Sequence, residues 1–132
     1  MVRNAFVALT LIAALLPQSA SAKTMLGTLR HGTSDIQFVL AGNQLVVEQV
    51  NARGIVDAIG VPLKAAGCPQ LAGHTLTIRT QGAVIEHSTS DSPYNWVFDP
   101  KKRDSASFVY DPSEERDAAV LVGKINPLVG CR

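Results

Sequence analysis

The sequence is poor in cysteine, in aromatic residues and in catalytic motifs, and each shortage narrows the classes of function. Its two cysteines are far apart, so no C-x-x-C pair is present to act as a redox dithiol. The G-x-S-x-G, H-E-x-x-H and glycine-rich phosphate-loop patterns are missing as well. We therefore expect no catalytic residue and no cofactor. The sequence favours a binding protein over an enzyme, with a small secreted hydrolase left open.

The N-terminus carries a secretory signal pattern. Arg3 supplies a positive charge, and residues 5–16 form an apolar stretch shorter than the roughly 20 residues that a membrane-spanning helix needs. Ala20 and Ala22 fit an A-x-A cleavage site. We predict that residues 1–22 are a signal peptide and that residues 23–132 are a single exported domain, periplasmic or secreted. No later stretch is apolar enough to insert into a membrane.

After removal of the leader, positive and negative side chains are equal in number. Loss of Arg3 with the leader takes the twelve Lys and Arg residues to eleven, equal to the eleven Asp and Glu residues. A balanced chain has no general attraction to nucleic acid or to an anionic membrane. We therefore expect a protein partner, or alternatively a glycan, and no nucleic acid.

Cys68 and Cys131 both follow the leader, and export permits their oxidation. We predict an intramolecular Cys68–Cys131 disulfide, with free thiols or intermolecular pairing as the alternatives. A bridge that closes so long a loop stabilises a domain by about 4 kcal/mol on the chain-entropy estimate.

Alternation of apolar and polar residues predicts most of the strands. Ile36, Phe38 and Leu40 alternate with polar or smaller neighbours, and a turn at residues 41–43 leads to a second strand. The predicted strands are residues 35–40, 44–50, 75–79, 83–88, 94–98, 106–110 and 118–125, and residues 24–31 are a candidate for one more strand before them. Residues 83–88 are expected to pair with residues 75–79 across a turn at Gln81 and Gly82.

One segment has a helical spacing. Ile55, Ile59 and Leu63 recur every four residues after Asn51, a residue suited to begin a helix, and Pro62 suits its end. These patterns together predict an α+β fold: an antiparallel sheet of six or seven strands packed with one helix and held by one disulfide. A small β-barrel or sandwich with a single helix is the alternative.

Most of the aromatic residues after the leader fall between Tyr94 and Tyr110. Tyr94, Trp96 and Phe98 are two residues apart and would share one strand face. That face is either part of the core or an exposed platform for a protein or glycan. Because Tyr and Trp are common binding anchors, Tyr94 and Trp96 are candidate binding residues.

The loops next to this segment are charged. The basic loop, Lys101, Lys102 and Arg103, is predicted at a hairpin tip, and its three cations are candidate binding residues for an acidic cleft. An acidic segment follows at residues 111–117, without the glycine and alternating ligands of a calcium loop. The three histidines, His31, His74 and His87, have no zinc-ligand spacing, so we expect no metal site.

The expected function is that of a small exported binding protein. It would engage another macromolecule through the charged loops and the aromatic strand face, with inhibition of that macromolecule as one form of the function. An accessory module of a cell-envelope or extracellular assembly is the first alternative, and a small secreted hydrolase is the second.

Overall fold

A computed structural model describes residues 23–90, 98–99 and 101–131 of the chain. Within these ranges the chain forms eight strands and one α-helix. The strands are β1 (Lys23–His31), β2 (Ser34–Ala41), β3 (Gln44–Val50), β4 (Val56–Pro62), β5 (Gln70–Ala72), β6 (Thr75–Arg79), β7 (Glu86–Ser90) and β8 (Ser105–Val109). The helix α1 (Glu115–Ile125) lies between the 3-10 turns Pro112–Glu114 and Asn126–Val129. The predicted α+β class is confirmed.

The first four strands and β7 form one antiparallel sheet in the order β1-β2-β3-β4-β7. Short turns join its first strands, and Gly42 adopts φ +64° in the turn between β2 and β3, a conformation that suits glycine. Phe38 of β2 lies opposite Val47 of β3, which lies opposite Ile59 of β4. The strands predicted at residues 24–31, 35–40 and 44–50 are confirmed.

A second sheet contains three antiparallel strands in the order β5-β6-β8. The strands predicted at residues 75–79 and 106–110 are confirmed as β6 and β8, and they pair with each other. The predicted pairing of residues 75–79 with residues 83–88 is wrong, because β7 pairs instead with β4. The chain leaves the three-stranded sheet after Arg79 and joins the other sheet, with Gly82 at φ +83° in the connection.

The predicted helix at residues 51–63 is wrong, because Val56–Pro62 is strand β4. A spacing of four is also a multiple of two, so an extended chain places Ile59 of β4 and Leu63, just after the strand, on one side as a helix would. Both pack partly buried against the core. The opposite side of β4 is covered too, since Val56 and Ala58 are buried there. An apolar strand covered on both sides loses the polar alternation that would have indicated it.

Asn51 closes a turn instead of beginning a helix. Its side-chain oxygen Oδ1 accepts hydrogen bonds from the backbone N–H groups of Arg53, at 2.8 Å, and Ile55, at 3.1 Å. Asparagine commonly stabilises turns by such local bonds, the same capacity that suits it to helix N-termini. Gly54 completes this turn at φ +81°.

The strand predicted at residues 118–125 is also wrong, because this segment lies within α1. Ala118, Leu121 and Ile125 are buried at spacings of three and four, which is the period of a helix. Leu121 packs on β1 at Gly27, where a Cβ atom would lie 3.2 Å from its Cδ1 atom. The helix therefore approaches this strand closely at Gly27, next to a register shift in the β1–β2 pair, and an added side chain there would displace the end of Leu121.

The core lies between the two sheets and under α1. The rings of Phe38, from the larger sheet, and Phe108, from the smaller, meet edge to face with centroids 5.6 Å apart. Such aromatic contacts favour this perpendicular geometry. The fold therefore has two sheets that share one core, where a single sheet of six or seven strands was expected.

The predicted disulfide is present. The Sγ atoms of Cys68 and Cys131 are 2.07 Å apart, and the Cα atoms are 5.3 Å apart. The bridge joins the segment before β5 to the tail that follows α1. No helix in the described part of the chain is long and apolar enough to cross a membrane.

Candidate functional site: the basic loop

The basic loop, Lys101, Lys102 and Arg103, lies between Asp99 and strand β8, and all three residues are exposed. Tyr94 and Trp96, the aromatic binding candidates, lie outside the described residues. The predicted strand at residues 94–98 also lies outside them, apart from Phe98. Within the described residues, the candidate site therefore consists of the three cations and the residues that hold them.

The end of the basic loop is fixed to the core by a two-residue bridge. The N–H group of Arg103 donates to the carbonyl of Ile85 at 3.0 Å, and the N–H group of Ile85 donates to the carbonyl of Arg103 at 2.9 Å. Ile85 is 1% exposed and belongs to the hydrophobic core. The backbone of Arg103 is thus anchored to the core while its side chain is exposed.

The start of the basic loop is held by Asp99 and His87. The N–H group of Asp99 donates to the carbonyl of His87 at 2.8 Å, and the Oδ2 atom of Asp99 lies 3.5 Å from Nδ1 of His87. The other carboxylate oxygen of Asp99 accepts from the N–H group of Lys101 at 3.1 Å. This last bond is a local Asx turn, so Asp99 connects β7 directly to the first cation of the loop.

The His87 ring has a second carboxylate on its far side. Its Nε2 atom lies 3.3 Å from Oδ1 of Asp57 on β4, and the hydroxyl of Thr89 donates to the same Asp57 oxygen at 3.0 Å. His87 therefore links β4 to Asp99 across β7. No sequence pattern indicates this cluster, because its members meet only through the β4–β7 pairing, which brings together residues 30 positions apart.

Phe98 gives the start of the loop an apolar support. A Cβ atom on Gly60 of β4 would lie 3.2 Å from the Cζ atom of Phe98 and 2.7 Å from Oε1 of Gln44. The absence of a side chain at Gly60 therefore lets the Phe98 ring pack directly on the backbone of the larger sheet.

The charges of the basic loop are only partly neutralised. Lys102 Nζ lies 3.9 Å from Oε2 of Glu86, a separation at which a surface ion pair is weak. Lys101 and Arg103 form no ion pair with any carboxylate of the described residues. Two cations are consequently available to a partner.

The acidic residues of the segment 111–117 make structural contacts with neighbouring elements. The carboxylate of Glu114 accepts from the N–H group of Arg30 at 2.9 Å, and that of Asp111 accepts from the N–H group of Gly32 at 3.1 Å. Glu115 pairs with His74 at 3.2 Å. The acidic residues thus occupy the outer edge of β1 and the start of α1. No group of three or more His, Cys, Asp or Glu residues in the described part of the chain is arranged to hold a metal ion.

Tyr110 lies next to this acidic segment. Its side chain is 2% exposed, and the His74 ring meets it edge to face at 6.1 Å. Burial, and secondarily the negative charge of Glu115, raises the pKa of the Tyr110 hydroxyl above its ordinary value of 10.0.

No protein-family model, no curated protein and no solved structure matches this chain.

Proposed function

We propose that this protein is a small exported binding protein whose basic loop docks on an acidic surface of another exported protein. The observation that carries the proposal is the anchoring of the loop at both ends. The Arg103–Ile85 bridge holds one end, and the Asp99–His87 contacts hold the other. Export is supported by the signal pattern of residues 1–22 and is consistent with the Cys68–Cys131 disulfide.

Anchoring matters because association has an entropic cost. A loop already fixed in the free protein loses less conformational freedom when it binds, so more of its interaction free energy appears as affinity. Exposed cations alone contribute modestly, since water and salt screen them. Their main effects are expected on the association rate and on the choice of an acidic partner.

Affinity then requires an apolar anchor in addition to charge. Tyr94 and Trp96 are the candidates in the sequence, because binding energy in protein interfaces concentrates in a few aromatic and arginine residues. The proposed interface therefore combines these two aromatic side chains with Lys101 and Arg103. Occupation of a functional surface on the partner would make the protein an inhibitor.

The first test is capture of a partner from the culture fluid and envelope extract of the source cells, with the disulfide-bonded protein as bait. The captured protein is then titrated against two double variants that change the net charge equally. K101E/R103E reverses the two unpaired cations of the basic loop. R53E/R116E reverses two exposed arginines elsewhere, one in the turn before β4 and one on α1.

We expect K101E/R103E to weaken binding at least tenfold at low salt, mostly through a slower association, and R53E/R116E to leave it within about twofold. Trp96→Ala should accelerate dissociation. Equal losses in the two charge variants would mean that only net charge matters. Unchanged binding of K101E/R103E would remove the basic loop from the interface, and either result overturns the proposal.

A further inference from the structure

A cleft of about 360 Å³ lies near the end of the basic loop, since the N–H group of Thr80 in its wall donates to the carbonyl of Asp104 at 2.9 Å. Its walls are residues 64–67, which follow β4, and residues 79–81 at the end of β6. The side chains of these residues do not anchor the basic loop, and apart from Ala66 they lie outside the hydrophobic core, so the cleft is a second candidate for binding.

The walls of the cleft are already fixed in the free protein. The N–H group of Gly67 donates to the carbonyl of Arg79 at 2.8 Å, and the N–H group of Gln81 donates to the carbonyl of Ala65 at 3.0 Å. The Thr80 hydroxyl is held as well, by a 2.8 Å bond to the carbonyl of Gly82. Small residues at positions 65–67 keep the opening between these walls clear.

The charge of the lining is entirely positive. Lys64 and Arg79 are its only ionisable residues, and both are exposed. Neither forms an ion pair with a carboxylate of the described residues, whereas Arg30 and Lys102 each lie within 4.0 Å of one, on Asp35 and Glu86. Two cations that share one cleft repel each other, and an anion between them relieves that repulsion.

We propose that this cleft binds the oxyanion group of a small polar molecule, a phosphate or a carboxylate. The planar guanidinium of Arg79 presents paired N–H donors that match two oxygens of such a group, and Lys64 adds a mobile point charge. The Gln81 amide supplies a further donor. The volume exceeds that of the anionic group alone, so the rest of the ligand lies against Ala65, Ala66 and Gly67.

The test is a titration of the disulfide-bonded, isotope-labelled protein with inorganic phosphate, and separately with acetate, at pH 7 and low ionic strength. Amide resonances of Gly67 and Gln81 report on the cleft. We expect saturable shifts with a dissociation constant on the order of 1 mM for the better probe, since both cations are solvent-exposed. The probe that binds more tightly identifies the oxyanion that the cleft prefers.

Three variants make the result specific. K64A/R79A should bind at least tenfold more weakly while keeping a native spectrum, and R79K should fall between it and the unaltered protein because it keeps the charge without the paired donors. R53A/R116A removes two exposed cations elsewhere and should bind normally. Non-saturable shifts, shifts of equal size around Arg53 and Arg116, or unchanged binding by K64A/R79A would overturn the proposal.

The variant K101E/R103E separates this site from the basic loop. Its phosphate titration should still give saturable shifts at the cleft.

Discussion

Gly60 lies within β4 between the side chains of Gln44 and Phe98, and its lack of a side chain determines how closely they approach. A methyl group there would lie 2.7 Å from Oε1 of Gln44 and 3.2 Å from the Phe98 ring. The end of the Gln44 side chain can move away, whereas a ring packed on the backbone has less freedom. Phe98 precedes Asp99, so a displaced ring would also disturb the start of the basic loop.

We predict that Gly60→Ala lowers the free energy of unfolding by about 1 to 2 kcal/mol, the usual cost of overpacking by one methyl group. Gly123→Ala is the matched control, because nothing lies within 4 Å of its added Cβ and it sits in α1. Alanine has a higher helix propensity than glycine, so the control should raise the free energy of unfolding by about 0.5 to 1 kcal/mol. Urea denaturation measures both. Equal effects of the two variants would contradict the close packing at Gly60.

At the scale of single residues, some features could be predicted from the sequence and others could not. The pairing of Cys68 with Cys131 was predictable, because the sequence contains only these two cysteines. The exposed cations at positions 101 and 103 were predictable from their charge. The contacts of His87 with Asp57 and Asp99 were not, because they depend on which strand lies beside β7, and no local pattern specifies that neighbour.

At the scale of the elements, the outer edge of β1 is covered by α1 and by the turn that precedes it. Lys124 donates to the carbonyl of Leu26 at 3.1 Å, and the N–H group of Asp111 donates to the carbonyl of Arg30 at 2.8 Å. Glu114 accepts from the N–H group of Arg30. An open edge is a template for pairing with another chain, and these side chains and this backbone group fill three of its bonding positions.

We predict that Glu114→Ala releases the Arg30 amide from this edge. Loss of the hydrogen bond should cost about 1 kcal/mol, which corresponds to roughly fivefold faster local hydrogen exchange. Glu114→Gln keeps an oxygen acceptor at the same position and should leave the exchange rate near that of the unaltered protein. Amide exchange followed by NMR at Arg30 provides the measurement. Equal acceleration in both variants would show that charge, and not the hydrogen bond, protects the edge.

The sequence patterns predicted a helix where the structure has β4 and a strand where it has α1. The spacing of Ile55, Ile59 and Leu63 fits both periods, so length and residue type had to decide between them, and β4 is short and contains β-branched residues. For α1, the buried positions 118, 121 and 125 fit only a helix. Pro112 at its approach and acidic residues in its first turn were further signals of a helix start.

At the scale of the whole molecule, one disulfide links distant parts of the chain. Cys68 and Cys131 are 63 residues apart, and on the chain-entropy estimate such a bridge contributes about 4 kcal/mol. Natural domains are stable by only about 5 to 15 kcal/mol in total. The bridge is therefore a major part of the stability of this one.

We predict that the double variant C68S/C131S loses about 4 kcal/mol of unfolding free energy. Neither cysteine is fully buried, so the serine hydroxyls reach solvent and add little cost of their own. Urea denaturation should give the same loss for the unaltered protein reduced by dithiothreitol. A loss below about 1 kcal/mol in both cases would mean that the folded chain is held without the bridge, contrary to the entropic estimate.

The contact between β1 and α1 also sets an order of events when the chain emerges N-terminus first from a ribosome or an export pore. Until residue 125 is released, β1 has no helix over Gly27, its bonding edge is open, and apolar side chains of the core face water. The nascent chain is then a substrate for holding chaperones and for misplaced pairing. Folding is completed only after nearly all of the described chain has emerged, because α1 lies near the C-terminal end of the described residues.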